Sequence, residues 1–214
     1  MFRKSLNIKY NQKLKTVGLA LFLIFIIIFI FSAVYFDKKI SPFMNQYTVM
    51  KGQQMMTDLF GKTVNQKMDE MNLTYDKLID ISYSKAGEIQ SMNTDVVTIN
   101  RLKNEVTLQL SELLANEYEY KVDIPIGSLF DSEFLSGSGK TISFNNTVTG
   151  DVKSDFRSEF ESKGINQTVH RLYIDITGNL LIIAAGEQQP IEMTTSVLVG
   201  ETVLLGKVPS WNID

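Results

Sequence analysis

The residue best suited to chemistry in this chain is its single histidine, His170, and the chain holds no cysteine. One imidazole cannot form a multi-histidine metal centre, and a chain without cysteine has neither thiolate ligands nor a thiol nucleophile. A serine–histidine–aspartate triad would need a nearby acid such as Asp175. Five residues along a strand place two side chains on opposite faces, because strand side chains alternate. The sequence therefore predicts that His170 has a structural or partner-contacting role.

Two pairs of acids, Asp151/Asp155 and Glu159/Glu161, have the residue types of a glycosidase site. Such a site needs two carboxyl groups about 5 to 10 Å apart across a sugar cleft. Both pairs fall on the polar positions of a predicted amphipathic strand that also carries basic residues. A solvated, charge-paired strand face is the favoured interpretation.

The stretch G-S-G-K-T at 137–141 ends like a phosphate-binding loop, but Phe134 stands where the first glycine of that motif belongs. No helical pattern follows the stretch, so the motif fails. We predict no catalytic residue, no cofactor and no metal in this chain, and no enzymatic activity. An enzyme acting on the cell wall is the weakest of the alternatives.

The chain that must position these residues begins with a membrane-spanning pattern. Residues 17–36 form a run of twenty without one charge. As a helix this run reaches about 30 Å, the thickness of the hydrocarbon core of a bilayer. The run is longer than the apolar region of a cleaved signal peptide and lacks a clean small-x-small site. Its apolar residues surround the whole helix, unlike those of a core helix. We predict an uncleaved single-pass anchor.

Charge sets the predicted orientation of this anchor. The head, residues 1–16, holds five of the 21 basic residues and none of the 24 acidic ones, which leaves residues 37–214 with a net charge near −8. Cytoplasmic flanks collect Lys and Arg, so the N-terminus is predicted inside and residues 37–214 outside. The acidic exported part argues against nucleic acid as a partner. Its length fits one domain.

Helical spacing appears twice after the anchor. Pro42 predicts that the membrane helix ends near Lys39 or Ile40. Asn93, Thr94 and Asp95 are candidate N-caps for the second of the two stripes. The stripes comprise Met56, Leu59, Phe60, Val64, Met68 and Met71, then Ile99, Leu102, Val106, Leu110 and Leu113. Between them, two short apolar runs around Gly87 predict a β-hairpin.

The rest of the chain alternates with the period of strands. A short strand is predicted at 122–126, followed by a Gly/Ser-rich connection at 128–140. Gln188, Gln189 and Pro190 are predicted to form a turn between the last two long strands. Each of three long strands has one apolar face: Ile142, Phe144, Val148, Val152, Phe156 and Phe160; Leu172, Ile174, Ile176, Leu180 and Ile182; Ile191, Met193, Val197, Val199, Val203 and Leu205. The prediction is an α+β fold, with one anchor helix and amphipathic helices packed on a long-stranded antiparallel sheet.

Five stretches then occur together in one order. They are N-T-D-V-V-T-I-N at 93–100, I-P-I-G-S-L at 124–129, L-S-G-S-G at 135–139, G-I-N-Q-T-V-H at 164–170 and V-G-E-T-V-L-L-G-K-V-P at 199–209. With these stretches, residues 40–210 resemble the sporulation protein YunB family of endospore-forming bacteria. The resemblance marks Gly164, Ile165, Asn166, Gln167, Thr168, His170, Glu201, Thr202, Gly206, Val208 and Pro209 as candidate family residues.

The resemblance implies a membrane-anchored protein required for endospore formation. We expect a structural or interaction factor outside the mother-cell cytoplasm, in the space between the mother-cell and forespore membranes. Its expected partners are the membrane and other sporulation proteins. The alternative is a lipid-binding or lipid-transfer module, because long strands around an amphipathic helix can enclose an apolar groove.

Overall fold

The computed structural model describes residues 2–85, 87–130, 133–164, 166–184 and 187–206, with side chains from residue 17 onward. The helices are α1 (Phe2–Tyr35), α2 (Ser41–Glu70), α3 (Tyr75–Leu78) and α4 (Val96–Ala115), with a π-turn at Phe36–Ile40 and a 3₁₀ turn at Ile126–Leu129. The strands are β1 (Ile79–Tyr83), β2 (Ile89–Thr94), β3 (Tyr118–Pro125), β4 (Thr141–Ser162), β5 (Gln167–Ala184) and β6 (Glu187–Leu205). This architecture confirms the predicted α+β fold.

Residues 17–35 of the apolar run lie in α1 and Phe36 begins the π-turn, and none of the most apolar window is buried. Among the described residues this is the one helix long and apolar enough to cross a membrane. The prediction that the helix ends at Lys39 or Ile40 is wrong, because the chain stays helical through the π-turn into α2. The Ser41 N–H donates to the Phe36 carbonyl across the wider turn. A π-turn loosens the hydrogen-bond ladder where Pro42 enters it.

The helix α4 follows the predicted stripe and cap. The Asp95 carboxylate accepts hydrogen bonds from the N–H groups of Val97 and Thr98, both at 3.1 Å. These bonds satisfy two donors that a helix start otherwise leaves without partners. The inward side chains are 0–3% exposed: Ile99, Leu102, Val106, Leu110 and Leu114. The helix therefore buries one side, as predicted, except at its end, where Leu114 is buried and the predicted Leu113 is only half-buried.

The other helical stripe and the hairpin are also present. Met56, Phe60 and Val64 of α2 are each 0% exposed, so the centre of the methionine-rich stripe is core. The strands β1 and β2 pair antiparallel and form a two-stranded sheet of their own. The predicted hairpin around Gly87 is confirmed.

A four-stranded sheet with the order β3-β4-β5-β6 forms the largest part of the fold. The strands β4, β5 and β6 are 22, 18 and 19 residues long and pair antiparallel, as predicted. The predicted turn at Gln188, Gln189 and Pro190 is wrong: these residues lie in β6, opposite Ile183, Ile182 and Leu181 of β5. The strand β6 is an edge of the sheet, where a proline is tolerated because half of the N–H groups need no partner strand.

A β-bulge in β6 changes the predicted face of the last residues of that strand. Leu172 pairs with Gly200 and Tyr173 pairs with Leu198, so Val199 is an extra residue in β6. One extra residue reverses the face of every side chain beyond it. Val203 and Leu205, predicted on the inner face, are 53% and 65% exposed on the outer face. The pattern is correct only up to the bulge.

The chain divides into two compact units. One contains residues Met1–Tyr47 and Ile124–Ile142, and therefore the helix α1 and the turn after β3. The other contains Thr48–Asp123 and Ser143–Asp214, and therefore the hairpin, α4 and nearly all of the long strands. The division into a head, an anchor and one exported domain stays a prediction. The site described below lies within the second unit.

Candidate functional site

The family-like stretches at 164–170 and 199–209 meet at one end of the four-stranded sheet, which we call the motif end (residues 166–171 and 200–206). Thr168 pairs with Leu204, and His170 pairs with Thr202. The Gly206 N–H donates to the Asn166 carbonyl at 2.7 Å. Two stretches about thirty residues apart in sequence thus become neighbouring strand ends.

The remaining candidate residues fall around this end. Gly164 has a φ of 142°, a conformation that favours glycine, in the turn before β5. The Gln167 carbonyl accepts from the Lys163 N–H at 2.9 Å and closes that turn. Glu201 accepts from Arg171. Ile165, Val208 and Pro209 lie outside the described residues.

His170 is the most buried polar side chain of the motif end, with 1% of its surface exposed. Its Nδ1 lies 2.6 Å from the Tyr75 hydroxyl of α3, and its Nε2 lies 2.7 Å from the Ser158 hydroxyl of β4. The Phe160 ring stacks on the imidazole, with centroids 4.2 Å apart and planes 8° from parallel. We call these four side chains the His170 cluster. Both imidazole nitrogens therefore have partners within the protein.

The small residue Gly200 makes room for this cluster. A Cβ atom at Gly200 would lie 3.0 Å from the Tyr75 ring, a tighter contact than most Cβ atoms make. Because Gly200 follows the bulge at Val199, it faces the same side of the sheet as His170. The bulge and the glycine together let α3 approach β6.

Burial determines the charge of the cluster. Desolvation lowers the pKa of His170 below its ordinary value of 6.5, because a buried imidazolium loses its hydration. Desolvation, with smaller contributions from Asp76 and Tyr83, raises the pKa of Tyr75 to about 12. Both groups are therefore neutral near pH 7. The cluster is a chain of neutral hydrogen bonds from Tyr75 through His170 to Ser158.

The contact between Ser158 and His170 has the spacing of a nucleophile and its base. In a triad, an acid that can only accept hydrogen bonds fixes the imidazole in the tautomer that accepts the serine proton. Tyr75 can donate as well as accept, so it does not impose that tautomer. Asp175 lies on the other face of the sheet and accepts from Arg157 at 2.8 Å, as the strand alternation predicted. The arrangement fits a positioned, buried histidine better than a charge-relay site.

The outer face of the sheet carries the polar part of the motif end. Arg171 donates to Glu161 at 2.6 Å and to Glu201 at 2.5 Å, which links β4, β5 and β6 in one ladder. These two hydrogen bonds raise the pKa of Arg171. The pKa of Glu161 is lowered, mainly by a hydrogen bond from Lys163 and next by the bond from Arg171. The predicted solvated, charge-paired face of β4 is confirmed in this ladder.

Sequence reasoning missed Tyr75, Ser158 and Arg171. Ser158 could have been found, because it is a polar residue at an apolar position of its strand, between Phe156 and Phe160. Arg171 could have been inferred from the acids on the same parity. Tyr75 gave no signal, since it lies 95 residues from His170 in sequence.

Two observations bear on ligands. A cavity of about 620 Å³ adjoins the motif end and is lined by Gly87, Glu88, Ile89, Thr168, Leu204, Leu205 and Gly206. The inner side of α4, where a lipid-binding module would need an apolar groove, is packed, because Val106, Leu110 and Leu114 are each 0% exposed. Space for a ligand thus lies at the motif end instead of beside α4.

These features define a class: an α+β protein with one N-terminal helix able to span a membrane and a long-stranded sheet that has a buried histidine at one end. A family model described as sporulation protein YunB matches residues 121–211. The match covers β3 from Lys121 onward, the strands β4 to β6 and the whole motif end, and it confirms the resemblance over those residues. No curated protein and no solved structure matches the chain.

Proposed function

We propose that this protein is a membrane-anchored, non-enzymatic interaction factor of endospore formation. Its N-terminus lies in the mother-cell cytoplasm, and its domain faces the space between the mother-cell and forespore membranes. The sporulation family match and the exposed apolar helix support the setting. The observation that carries the interaction role is the gathering of family-like residues at one end of the sheet, around a histidine whose two nitrogens are already bonded.

The anchor is tested by exchange. Deletion of residues 1–36 should abolish sporulation, because the domain would lose its membrane. Replacement of the same residues by an unrelated single-pass anchor of the same orientation should restore sporulation. Heat-resistant spore counts are the measurement, and protein levels are the control. Normal sporulation of the deletion strain would contradict the proposal.

The non-enzymatic role is tested at Ser158. A Ser158→Ala variant loses the only hydroxyl bonded to the Nε2 of His170 among the described residues. It should harm sporulation only as far as it harms folding, because no reaction depends on that oxygen. Ser154→Ala is the matched control, since Ser154 also makes a part-buried hydrogen bond, to the Lys103 carbonyl. A well-folded Ser158→Ala protein with complete loss of function would instead indicate catalysis.

A second candidate is a lipid-binding module. The cavity beside Leu204 and Leu205 favours it, because those side chains and Ile89 give the cavity an apolar wall. The full chain would be purified in detergent and its bound lipids measured by mass spectrometry. A lipid retained by the normal protein and lost from Leu204→Glu would support this candidate, and equal lipid in both would oppose it.

A further inference from the structure

The two edges of the four-stranded sheet differ in how they are protected. Free sheet edges invite pairing with other strands, and proteins guard them with charges, prolines, bulges or short length. The edge strand β3 has 8 residues, exposes Glu119, Lys121 and Asp123, and ends at Pro125. The edge strand β6 has 19 residues and no Lys or Arg. β3 is thus guarded along its whole length, and β6 is not.

The unguarded part of β6 is well defined. Pro190 precedes it and the bulge at Val199 ends it, so the regular stretch is 191–198. Only Glu192 within this stretch is charged. Leu198 at its end is 48% exposed although it is a large apolar side chain. This is a regular, nearly uncharged strand edge of the kind that accepts another strand.

We infer that residues 192–198 pair antiparallel with the same residues of a second copy, about a two-fold axis at Thr195. In that register Thr194 lies opposite Ser196, and Met193 lies opposite Val197. Directly opposite residues of two paired strands lie on the same face of the sheet, and the two members of each of these pairs do lie on one face of β6. Glu192 lies opposite Leu198, so no acid faces an acid. The two Glu192 residues are six positions apart, which is about 20 Å along a strand.

A second copy of this chain is a better candidate for the strand that pairs with β6 than a strand of a different protein. The stretch is complementary to itself, and pairing joins two four-stranded sheets into one of eight strands. A contact of seven residues is small compared with the roughly 800 Å² per partner of a stable interface. A shared membrane offsets this by raising the local concentration of copies. The inference deepens the proposed interaction role and rests on it only for that shared membrane.

Disulfide trapping tests the register, because the chain has no cysteine of its own. Opposite residues of an antiparallel pair have Cα atoms about 4.5–5.5 Å apart, within the range of a disulfide. In membranes holding the full chain, mild oxidation of Thr195→Cys should give about ten times more dimer than Lys121→Cys on the guarded edge. Equal trapping at both positions, or none at Thr195, would overturn the inference.

Charge exchange tests the axis without crosslinking. Thr195→Lys and Thr195→Glu each place like charges directly opposite each other, which destabilises a strand pair. Each variant alone should be monomeric in mild detergent, and the two co-expressed should form a mixed dimer. Far-UV circular dichroism confirms that both variants fold. Dimers of either single variant, or a monomeric normal protein, would refute self-pairing and leave the edge to a different protein. Spore counts with the exchanged anchor would still test the proposed function separately.

Discussion

The two faces of β5 lie in different surroundings. On the inner face, Leu172, Ile174 and Ile176 are each 0% exposed, and His170 is 1% exposed. On the outer face, Arg171 and Asp175 make ion pairs whose side chains are 21–44% exposed. Water can replace the outer contacts when they break, but nothing can replace the inner ones. Stability should therefore depend on the inner face much more than on the outer face.

The largest expected effect comes from removing inner-face volume. Ile174→Ala should lower the free energy of unfolding by about 3 kcal/mol, because it leaves a cavity in a fully packed position. Thr177→Ala is the outer-face control and loses only an exposed hydrogen bond to Thr194. Urea unfolding of the detergent-solubilised chain, with hydrogen exchange of β5 as the readout, measures both. Equal losses would remove the distinction between the faces.

The next effect concerns the partners of His170. Tyr75→Phe and Ser158→Ala should each cost about 1–2 kcal/mol, since each leaves one buried imidazole nitrogen without its partner. In a His170→Phe background the same two changes should cost much less, because no nitrogen remains to be satisfied. Double-mutant cycles from urea unfolding give the coupling. A coupling of zero would mean that the hydrogen bonds contribute nothing to the fold.

Acidification should act through the same histidine. Burial lowers the pKa of His170 in the folded protein below its ordinary value of 6.5. As the pH is lowered, His170 is therefore protonated in the unfolded chain before it is protonated in the folded protein. The free energy of unfolding should be unaffected by His170 above about pH 6.5, and it should fall as the pH drops toward the lower pKa of the folded protein. Unfolding measured from pH 7.5 to 5 should show this slope, and His170→Phe should remove it. Carboxylates with lowered pKa, such as Asp175, titrate below this window. An unchanged slope in His170→Phe would assign it to another group.

The smallest effect should come from the outer ladder. Arg171→Gln breaks the bonds to Glu161 and Glu201, but these side chains are in contact with solvent. The loss should be smaller than that of Tyr75→Phe and should vanish in about 1 M salt, where the screening length is about 3 Å. Glu159→Gln is the matched control, because it removes one partner of the exposed ion pair with Arg157 on the same face. A large, salt-independent loss would show that the ladder is part of the core.

The sequence by itself determined the long apolar helix α1, the helix α4 and the long alternating strands. Each follows from a local property: twenty uncharged residues, a cap followed by a 3.6-residue period, or a period of two. The same alternation separated His170 from Asp175. Where the strand pattern failed, the cause was not local. The proline inside β6 and the bulge at Val199 depend on pairing with β5 and on a position at the sheet edge. The π-turn at Phe36–Ile40 is closed by a local bond from the Ser41 N–H to the Phe36 carbonyl, but an apolar pattern does not distinguish such a turn from a helix end.

Only the tertiary structure decided what surrounds the histidine and which edge of the sheet is open. Tyr75 reaches His170 because the bulge turns Gly200 inward and leaves space for the ring. Strand order made β3 and β6 the two edges, and this order depends on pairing between segments far apart in sequence. Periodicity fixes which side of a strand is apolar, because it reflects a repeat within one segment. Periodicity does not show which segment lies next to a strand, because that depends on contacts between segments.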